Sequence, residues 1–276
     1  MNTPRAKKRL GQNFLVDETE ARRIVNVLAP RAGETVVEIG PGRGALTTPL
    51  VESGARVVAV EFDRDLVSML RGRFGGRENF TLIEADALEV DFCAVIEPAA
   101  RARVVANLPY NISTAILQRL VGQRRCVAEM VLMLQREVVA RITAPPGSTE
   151  RGYLTILVEA FCETEALFDV PPAAFRPVPK IWSTVARLGV RENPLAGTDK
   201  PLLWRVVSAG FSQRRKTIQN NLRTAPADLR AKVESAGGAA RVLDAAGVEP
   251  RRRAETLALE EWLKIARAIA QASVEI

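Results

Sequence analysis

The chain has no histidine at all. That excludes Ser–His–Asp and Cys–His nucleophilic chemistry and any His-ligated metal site. Cysteine is scarce. Cys93, Cys126 and Cys162 are odd in number, far apart and flanked by apolar residues. A disulfide framework or a zinc site calls for closer spacing, so all three are expected as small buried hydrophobes. No apolar run approaches the roughly 18–20 residues that span a bilayer. Residues 1–13 are basic but have no apolar stretch behind them, unlike a secretory leader. A soluble, cytoplasmic protein is the expectation.

What is present is apolar residue and positive charge. Hydrophobic residues make up 47% of 276, enough for a large domain and a small one. The formal net charge is +7, which points to a polyanionic partner when it is clustered. Three clusters occur. Arg5, Lys7, Lys8 and Arg9 precede the first acid, Asp17; Arg214, Arg215, Lys216 and Arg223 lie in an acid-free stretch; Arg251, Arg252 and Arg253 are consecutive. One such cluster is usually a solvated face, but three together favour nucleic acid.

Asp17-Glu18-Thr19-Glu20 reads as a capping box opening a helix that Pro30 ends. Short apolar strands at 35–39, 56–60, 80–83, 102–106 and 127–134 then alternate with helices at 45–53, 63–73 and 113–120, the last with Ser113 as cap. This rhythm predicts an α/β fold, an open and mostly parallel sheet with helices on both faces. Segments 161–170 and 182–188, joined by a Pro-rich loop, fit an antiparallel pair at its edge. Residues 193–201 read as a linker. Beyond it the pattern is helical only, over 202–210, 213–222, 226–235, 239–246 and 259–270. The expected division is a domain of residues 1–192 and a small all-helical domain of 193–276.

Glu38-Ile39-Gly40-Pro41-Gly42-Arg43-Gly44 follows a strand and opens a helix. Glycines allow a tight turn and close approach of a ligand to the backbone. The dinucleotide fingerprint is G-x-G-x-x-G, whereas this turn is G-x-G-x-G with Glu38 beside it. A carboxylate there repels a pyrophosphate and attracts a cationic amino-acid head group, which points to S-adenosylmethionine. Glu61 ends the next strand, 17 positions after Gly44, close to the spacing of about 20 at which an acid holds ribose hydroxyls. Asp86, in Glu84-Ala85-Asp86-Ala87, ends the third strand and can accept from an adenine amino group or serve as a helix cap. All three lie where open α/β sheets bind ligands, beyond the carboxyl ends of the strands.

Asn107-Leu108-Pro109-Tyr110 ends a fourth strand. Adenine N6 is a poor nucleophile because its lone pair is delocalised into the ring. Two acceptors aimed at its N–H bonds draw that pair out of conjugation. The Asn107 side-chain carbonyl and the Leu108 backbone carbonyl fit this role. Pro109 fixes the turn and adds no competing donor. Tyr110 offers a face for an unpaired base, a contact worth about 1–3 kcal/mol. No general base is needed, which suits a chain without histidine.

On these residues the sequence resembles the ribosomal RNA adenine dimethyltransferase family of class I methyltransferases. The resemblance extends to Lys8-Arg9-Leu10-Gly11-Gln12-Asn13-Phe14-Leu15, Asn111, Phe175-Arg176-Pro177-Val178-Pro179-Lys180 with Ser183, Phe211–Thr217, Asn220-Asn221-Leu222 and Arg253–Leu257. It implies a Rossmann-like sheet plus a C-terminal helical RNA-binding domain. It implies cofactor contacts at Asn13, Leu15, Gly40, Glu61, Asp86 and Asn107, with Gly42 and Ala87 beside them, and Phe175 stacked on the target base opposite Tyr110. The substrate implied is two adjacent adenosines in a hairpin near the 3′ end of 16S-type small-subunit rRNA, in a pre-30S particle, each dimethylated by a monomeric enzyme. RNA contacts are expected from Arg214, Arg215, Lys216, Arg223, Arg251 and Arg252. Ile181-Trp182 and Ile218-Gln219 depart from the family pattern. Three alternatives stand beside this reading: a large-subunit rRNA adenine methyltransferase of the macrolide-resistance type, a non-catalytic ribosome-assembly RNA-binding protein, and a NAD-dependent oxidoreductase, which G-x-G-x-G disfavours.

Overall fold

The computed structural model describes residues 4–192, 195 and 197–272. The expected linker 193–201 therefore lies partly outside the described residues, at positions 193, 194 and 196. The first compact unit comprises Met1–Val139 and Cys162–Val190, and the second comprises Ala140–Phe161 and Arg191–Ile276.

In the first unit, helix α1 (Glu18–Leu28) buries Ala21, Ile24, Val25 and Leu28 along one stripe. The Asp17 carboxylate caps it by accepting from the Thr19 and Glu20 amides, and the chain leaves at Ala29 in the left-handed region, ahead of Pro30. Seven strands form the main sheet, in the order β4-β3-β2-β5-β6-β9-β7. They are β2 (Thr35–Ile39), β3 (Arg56–Glu61), β4 (Phe80–Glu84), β5 (Ala102–Asn107), β6 (Val127–Gln135), β7 (Cys162–Val170) and β9 (Ser183–Val190). β9 runs antiparallel to both β6 and β7, and the rest are parallel. The central strands read as apolar runs because both their faces are covered, as β2 shows with all five residues buried. Helices α2 (Thr47–Glu52), α3 (Arg64–Phe74), α4 (Phe92–Val95) and α5 (Ser113–Gly122) make the crossovers. Ser113 does not cap α5. It lies inside the helix, Ile112 takes the cap position, and the Ser113 hydroxyl donates back to the Tyr110 carbonyl.

Two short strands, β1 (Phe14–Leu15) and β8 (Phe175–Arg176), pair with each other as a separate ribbon. Two-residue strands carry no periodicity, so only the meeting of distant segments defines them. The expectation for the cysteines is corrected: Cys93 and Cys126 are joined by a disulfide with Cα atoms 5.3 Å apart, whereas Cys162 is buried and takes no part in it. Their separation of 33 residues hid the pairing, because α4 and the turn that follows α5 come together only in the folded sheet.

The second unit contains α7 (Tyr153–Glu159) and α8 (Lys200–Gly210), α9 (Ile218–Arg223), α10 (Ala227–Ser235), α11 (Gly238–Ala245) and α12 (Leu259–Ala272). Before it, α6 (Arg136–Ile142) leaves the sheet directly after β6. Residues 140–161, which a single cut after 192 assigns to the first domain, pack in this second unit. The guanidinium of Arg151 is the reason. Almost fully buried, it donates to the carbonyls of Leu257 (3.1 Å) and Ala144 (2.8 Å) and pairs with Glu159 at 2.6 Å. The Trp204 ring adds contacts to Tyr153 and Phe161. Segment 213–217, expected as the start of a helix, is instead a turn leading to Thr217, whose hydroxyl caps α9 by accepting from the Asn220 amide.

Candidate active site

Strand order reverses direction between β2 and β5, and an open α/β sheet leaves a crevice at such a switch. The register sets Ile39 beside Ala106 and beside Val60, so Gly40, Glu61 and Asn107 emerge at one level. A cavity of about 220 Å3 opens there. Asn13, Leu15, Gly40, Gly42, Glu61, Asp86, Ala87, Asn107, Leu108, Pro109 and Tyr110 all line it.

Gly40, Gly42 and Gly44 all have positive φ, the region that a side chain disfavours. A Cβ on Gly42 would stand 3.1 Å from the Phe14 ring, and one on Gly44 2.9 Å from Phe74. The turn is held from the next strand: the Gly42 amide donates to Glu61 Oε2 at 3.1 Å. Glu61 Oε1 accepts from the Phe62 and Asp63 amides, both at 2.9 Å. Glu61 thus spends three of its roughly four acceptor positions on the fold and retains capacity for one further donor. Burial pushes its carboxyl up, against those amides.

Glu38 sits beneath the glycine turn, 1% exposed, and accepts from the Thr47 hydroxyl at 2.7 Å. Burial pushes its carboxyl up to about 8, with Glu61 adding repulsion. A nearby positive charge is therefore needed to hold it ionised at neutral pH. Asp86 gives one oxygen to the Leu88 amide at 2.9 Å, closing the turn after β4.

Asn107 ends β5 with its amide oriented. Nδ2 donates to the Asn13 carbonyl at 3.2 Å, and among the described residues Oδ1 has no donor. The Tyr110 hydroxyl lies 2.9 Å from Ser183 Oγ at the head of β9. Burial pushes the Tyr110 phenol up, opposed by this bond. Phe175 lies apart from the other expected site residues. Its ring is 1% exposed, packed in the core with Leu15, Val170 and Val185, and it does not line the cavity. The β1–β8 ribbon sets it opposite Leu15, which does line the cavity.

Phe62 is a lining residue that the sequence reading passed over, although an apolar residue directly after a strand-end acid was a usable signal. It is 55% exposed beside Glu61. Equally hidden was the anchoring of residues 7–12. Lys7 Nζ pairs with Asp63 (2.5 Å) and Asp65 (2.6 Å), and Gln12 Nε2 donates to Asp63 at 3.0 Å. Burial alone would raise the Asp63 carboxyl, but Lys7 and Gln12 outweigh it and hold the group low. Lys7, expected in a basic cluster, is thus neutralised within the fold.

The basic residues of the second unit divide similarly. Arg215, Lys216, Arg223 and Arg251 are exposed. Arg214 donates to the carbonyls of Thr149 and Arg151. Arg252 pairs with Glu261 at 2.5 Å and donates to Thr256. Both guanidiniums tie the unit together.

A Rossmann-like sheet with one antiparallel strand set between β6 and the edge, and a glycine turn that presents a carboxylate rather than a bare helix end, is the fold of a methyltransferase. A family model described as Ribosomal RNA adenine dimethylase matches residues 3–265. The chain belongs to that family. It is 42% identical over 268 residues to Ribosomal RNA small subunit methyltransferase A of Pseudomonas aeruginosa, covering 97% of this chain and 96% of that protein. The corresponding figures for the Hahella chejuensis protein of the same name are 43% over 262 residues, 95% and 92%. Among solved structures, a dimethyladenosine transferase from Plasmodium falciparum superposes with a TM-score of 0.82 at 23% identity, over 94% of this chain and 98% of that one. The 23S rRNA methyltransferase ErmE gives 0.70 at 28% identity, over 94% and 100%.

Proposed function

We propose that the protein transfers methyl groups from S-adenosylmethionine to N6 of two adjacent adenosines near the 3′ end of small-subunit rRNA, giving N6,N6-dimethyladenosine. The observation that carries this is the fixed amide of Asn107. Asn107 lines the cavity with Nδ2 donating to the Asn13 carbonyl, which leaves Oδ1 without a donor among the described residues. Oδ1 and the Leu108 carbonyl accept the two N6 hydrogens, turning the nitrogen lone pair out of conjugation. Tyr110, oriented by Ser183, supplies the face on which the extruded base rests. Phe175 fixes the segment bearing Leu15 from the core side.

The site suits the cofactor. The positive-φ glycines allow close backbone approach, Glu61 has an acceptor position left for a ribose hydroxyl, and Asp86 retains one oxygen for an adenine amino group. Phe62 offers an apolar face next to Glu61. Glu38 and the cofactor's positive charge are matched, since that charge is what brings the Glu38 proton off at neutral pH. When bound, S-adenosylmethionine supplies an activated methyl group on a sulfonium, so no residue need act as general base and the N6 proton leaves to water. The identity of 42–43% to small-subunit enzymes, over nearly the whole chain, favours the small-subunit substrate over the large-subunit one. Arg215, Lys216, Arg223 and Arg251, on a helical unit proposed to bind RNA, are available to phosphates. We take the enzyme to act as a monomer in the cytoplasm.

The test is incubation with labelled S-adenosylmethionine and unmethylated small subunits, with modified nucleotides mapped by mass spectrometry. Label in two adjacent adenosines of the small-subunit rRNA is expected. Label in large-subunit rRNA, or binding without transfer, overturns the assignment.

A further inference from the structure

The loop between β8 and β9 carries three of the large apolar side chains most open to solvent in the molecule: Val178 at 56%, Ile181 at 38% and Trp182 at 46%. A solvent-exposed tryptophan gives up hydrophobic stabilisation, and a cluster of such residues marks a contact surface.

Its position says what touches it. Trp182 directly precedes Ser183, whose hydroxyl holds Tyr110. Consecutive Cα atoms are about 3.8 Å apart. Ser183 is buried, while Trp182 next to it is open to solvent. The Trp182 carbonyl is fixed by the Arg136 amide at 3.1 Å. The surroundings are cationic. Arg176 and Lys180 belong to the same stretch of chain, and the Arg136 side chain is 66% exposed, with one loose pair to Asp169 at 3.7 Å. An exposed indole in a stretch that carries cations, one residue from a base site, matches an unpaired nucleotide, whose base stacks and whose phosphate is neutralised.

We propose that Trp182 is a stacking platform for the nucleotide adjacent to the target adenosine, with Arg136 and Lys180 facing its phosphate. The proposal rests on the RNA methyltransferase reading above. It gives Trp182 a role in holding the strand while the target base occupies the Tyr110 pocket, and none in the transfer itself.

Three measurements test it. Steady-state methylation of unmethylated small subunits by Trp182→Ala should show KM raised roughly tenfold with kcat unchanged, as loss of one base stack implies. Trp182→Phe should recover most of that loss. Fluorescence supplies the direct readout. Trp262 is buried and Trp204 is packed against Tyr153 and Phe161, so the emission that responds to an added single-stranded oligoribonucleotide should be that of Trp182. That response should vanish in Trp182→Phe. Unchanged KM in Trp182→Ala, or an undiminished fluorescence response in Trp182→Phe, overturns the proposal. So does sedimentation showing that the wild type is a dimer which Trp182→Ala dissociates, since the patch would then bind a second copy. Failure of the underlying reading is separate: the wild type would then transfer no methyl group at all.

Discussion

Asn107 makes one hydrogen bond that determines its chemistry. Nδ2 is committed to the Asn13 carbonyl, so loss of the side chain removes that tie together with the acceptor proposed at Oδ1. Asn107→Ala should lower the single-turnover rate on bound subunits by about 10²–10³-fold, the range for one missing transition-state hydrogen bond. RNA affinity should stay nearly constant, because phosphates dominate it. A rapid-quench rate equal to wild type would remove Asn107 from its role. Glu38 titrates. Its carboxyl lies at about 8 in the native protein against an ordinary 4.5. Between those values the folded chain holds a proton that the unfolded chain has released. Stability from this source is therefore complete below about 4.5 and is lost as pH rises through about 8. Glu38→Gln should flatten that part of the profile in urea unfolding measured from pH 5 to 9. In calorimetry the wild type should release a proton on binding S-adenosylmethionine at pH 7, and Glu38→Gln should release less. Glu38, Glu61 and Asp86 stood out in the sequence as strand-end acids. The partners of Glu38 and Glu61 from other elements did not, because the Thr47 hydroxyl and the Gly42 amide reach them only through the fold.

The turn after β2 is where a single element carries most of the site. Gly44 has φ +82° and a ring carbon of Phe74 only 2.9 Å from where a Cβ would lie. Gly44→Ala should cost about 1–3 kcal/mol, read by urea denaturation, for the backbone strain alone. Gly42→Ala, against Phe14 at 3.1 Å, should weaken cofactor binding as well, because Phe14 belongs to the segment that lines the cavity. A neutral Gly44→Ala would mean that the turn relaxes freely. Strands β2 to β6 were legible because buried parallel strands are written as unbroken apolar runs. The β1–β8 ribbon was not, since Phe14 and Arg176 are 162 positions apart and pair over two residues only. Nor was the turn at 213–217, where Thr217 caps a shorter helix and so cuts off the basic residues before it.

Across the whole molecule, the net charge of +7 overstates what is free to meet a polyanion. Lys7 and Arg252 are ion-paired and the exposed Arg214 is bonded to the Thr149 and Arg151 carbonyls, whereas Arg215 and Lys216 project from a turn. The double charge reversal Arg215→Glu with Lys216→Glu should weaken subunit binding and reduce the slope of log K against log salt by about 0.7–0.9 for each phosphate that is no longer neutralised. Filter binding across a salt series would show it, and an unchanged slope would make that turn a solvated surface. No helix among the described residues is long and apolar enough to cross a membrane. What the sequence determined by itself is whatever depends on neighbours along the chain: the alternation of strands and helices, the glycine turn, the strand-end acids and Asn-Leu-Pro-Tyr. Tertiary structure alone decided what depends on distant segments meeting. It joined Cys93 to Cys126, drew residues 140–161 into the second unit around Arg151, and turned Phe175 into the core. It also left Trp182 exposed beside the buried Ser183. The reason is physical. Local pattern encodes periodicity and backbone preference, whereas burial and ion pairing are settled only when a side chain's partners arrive from elsewhere in the chain.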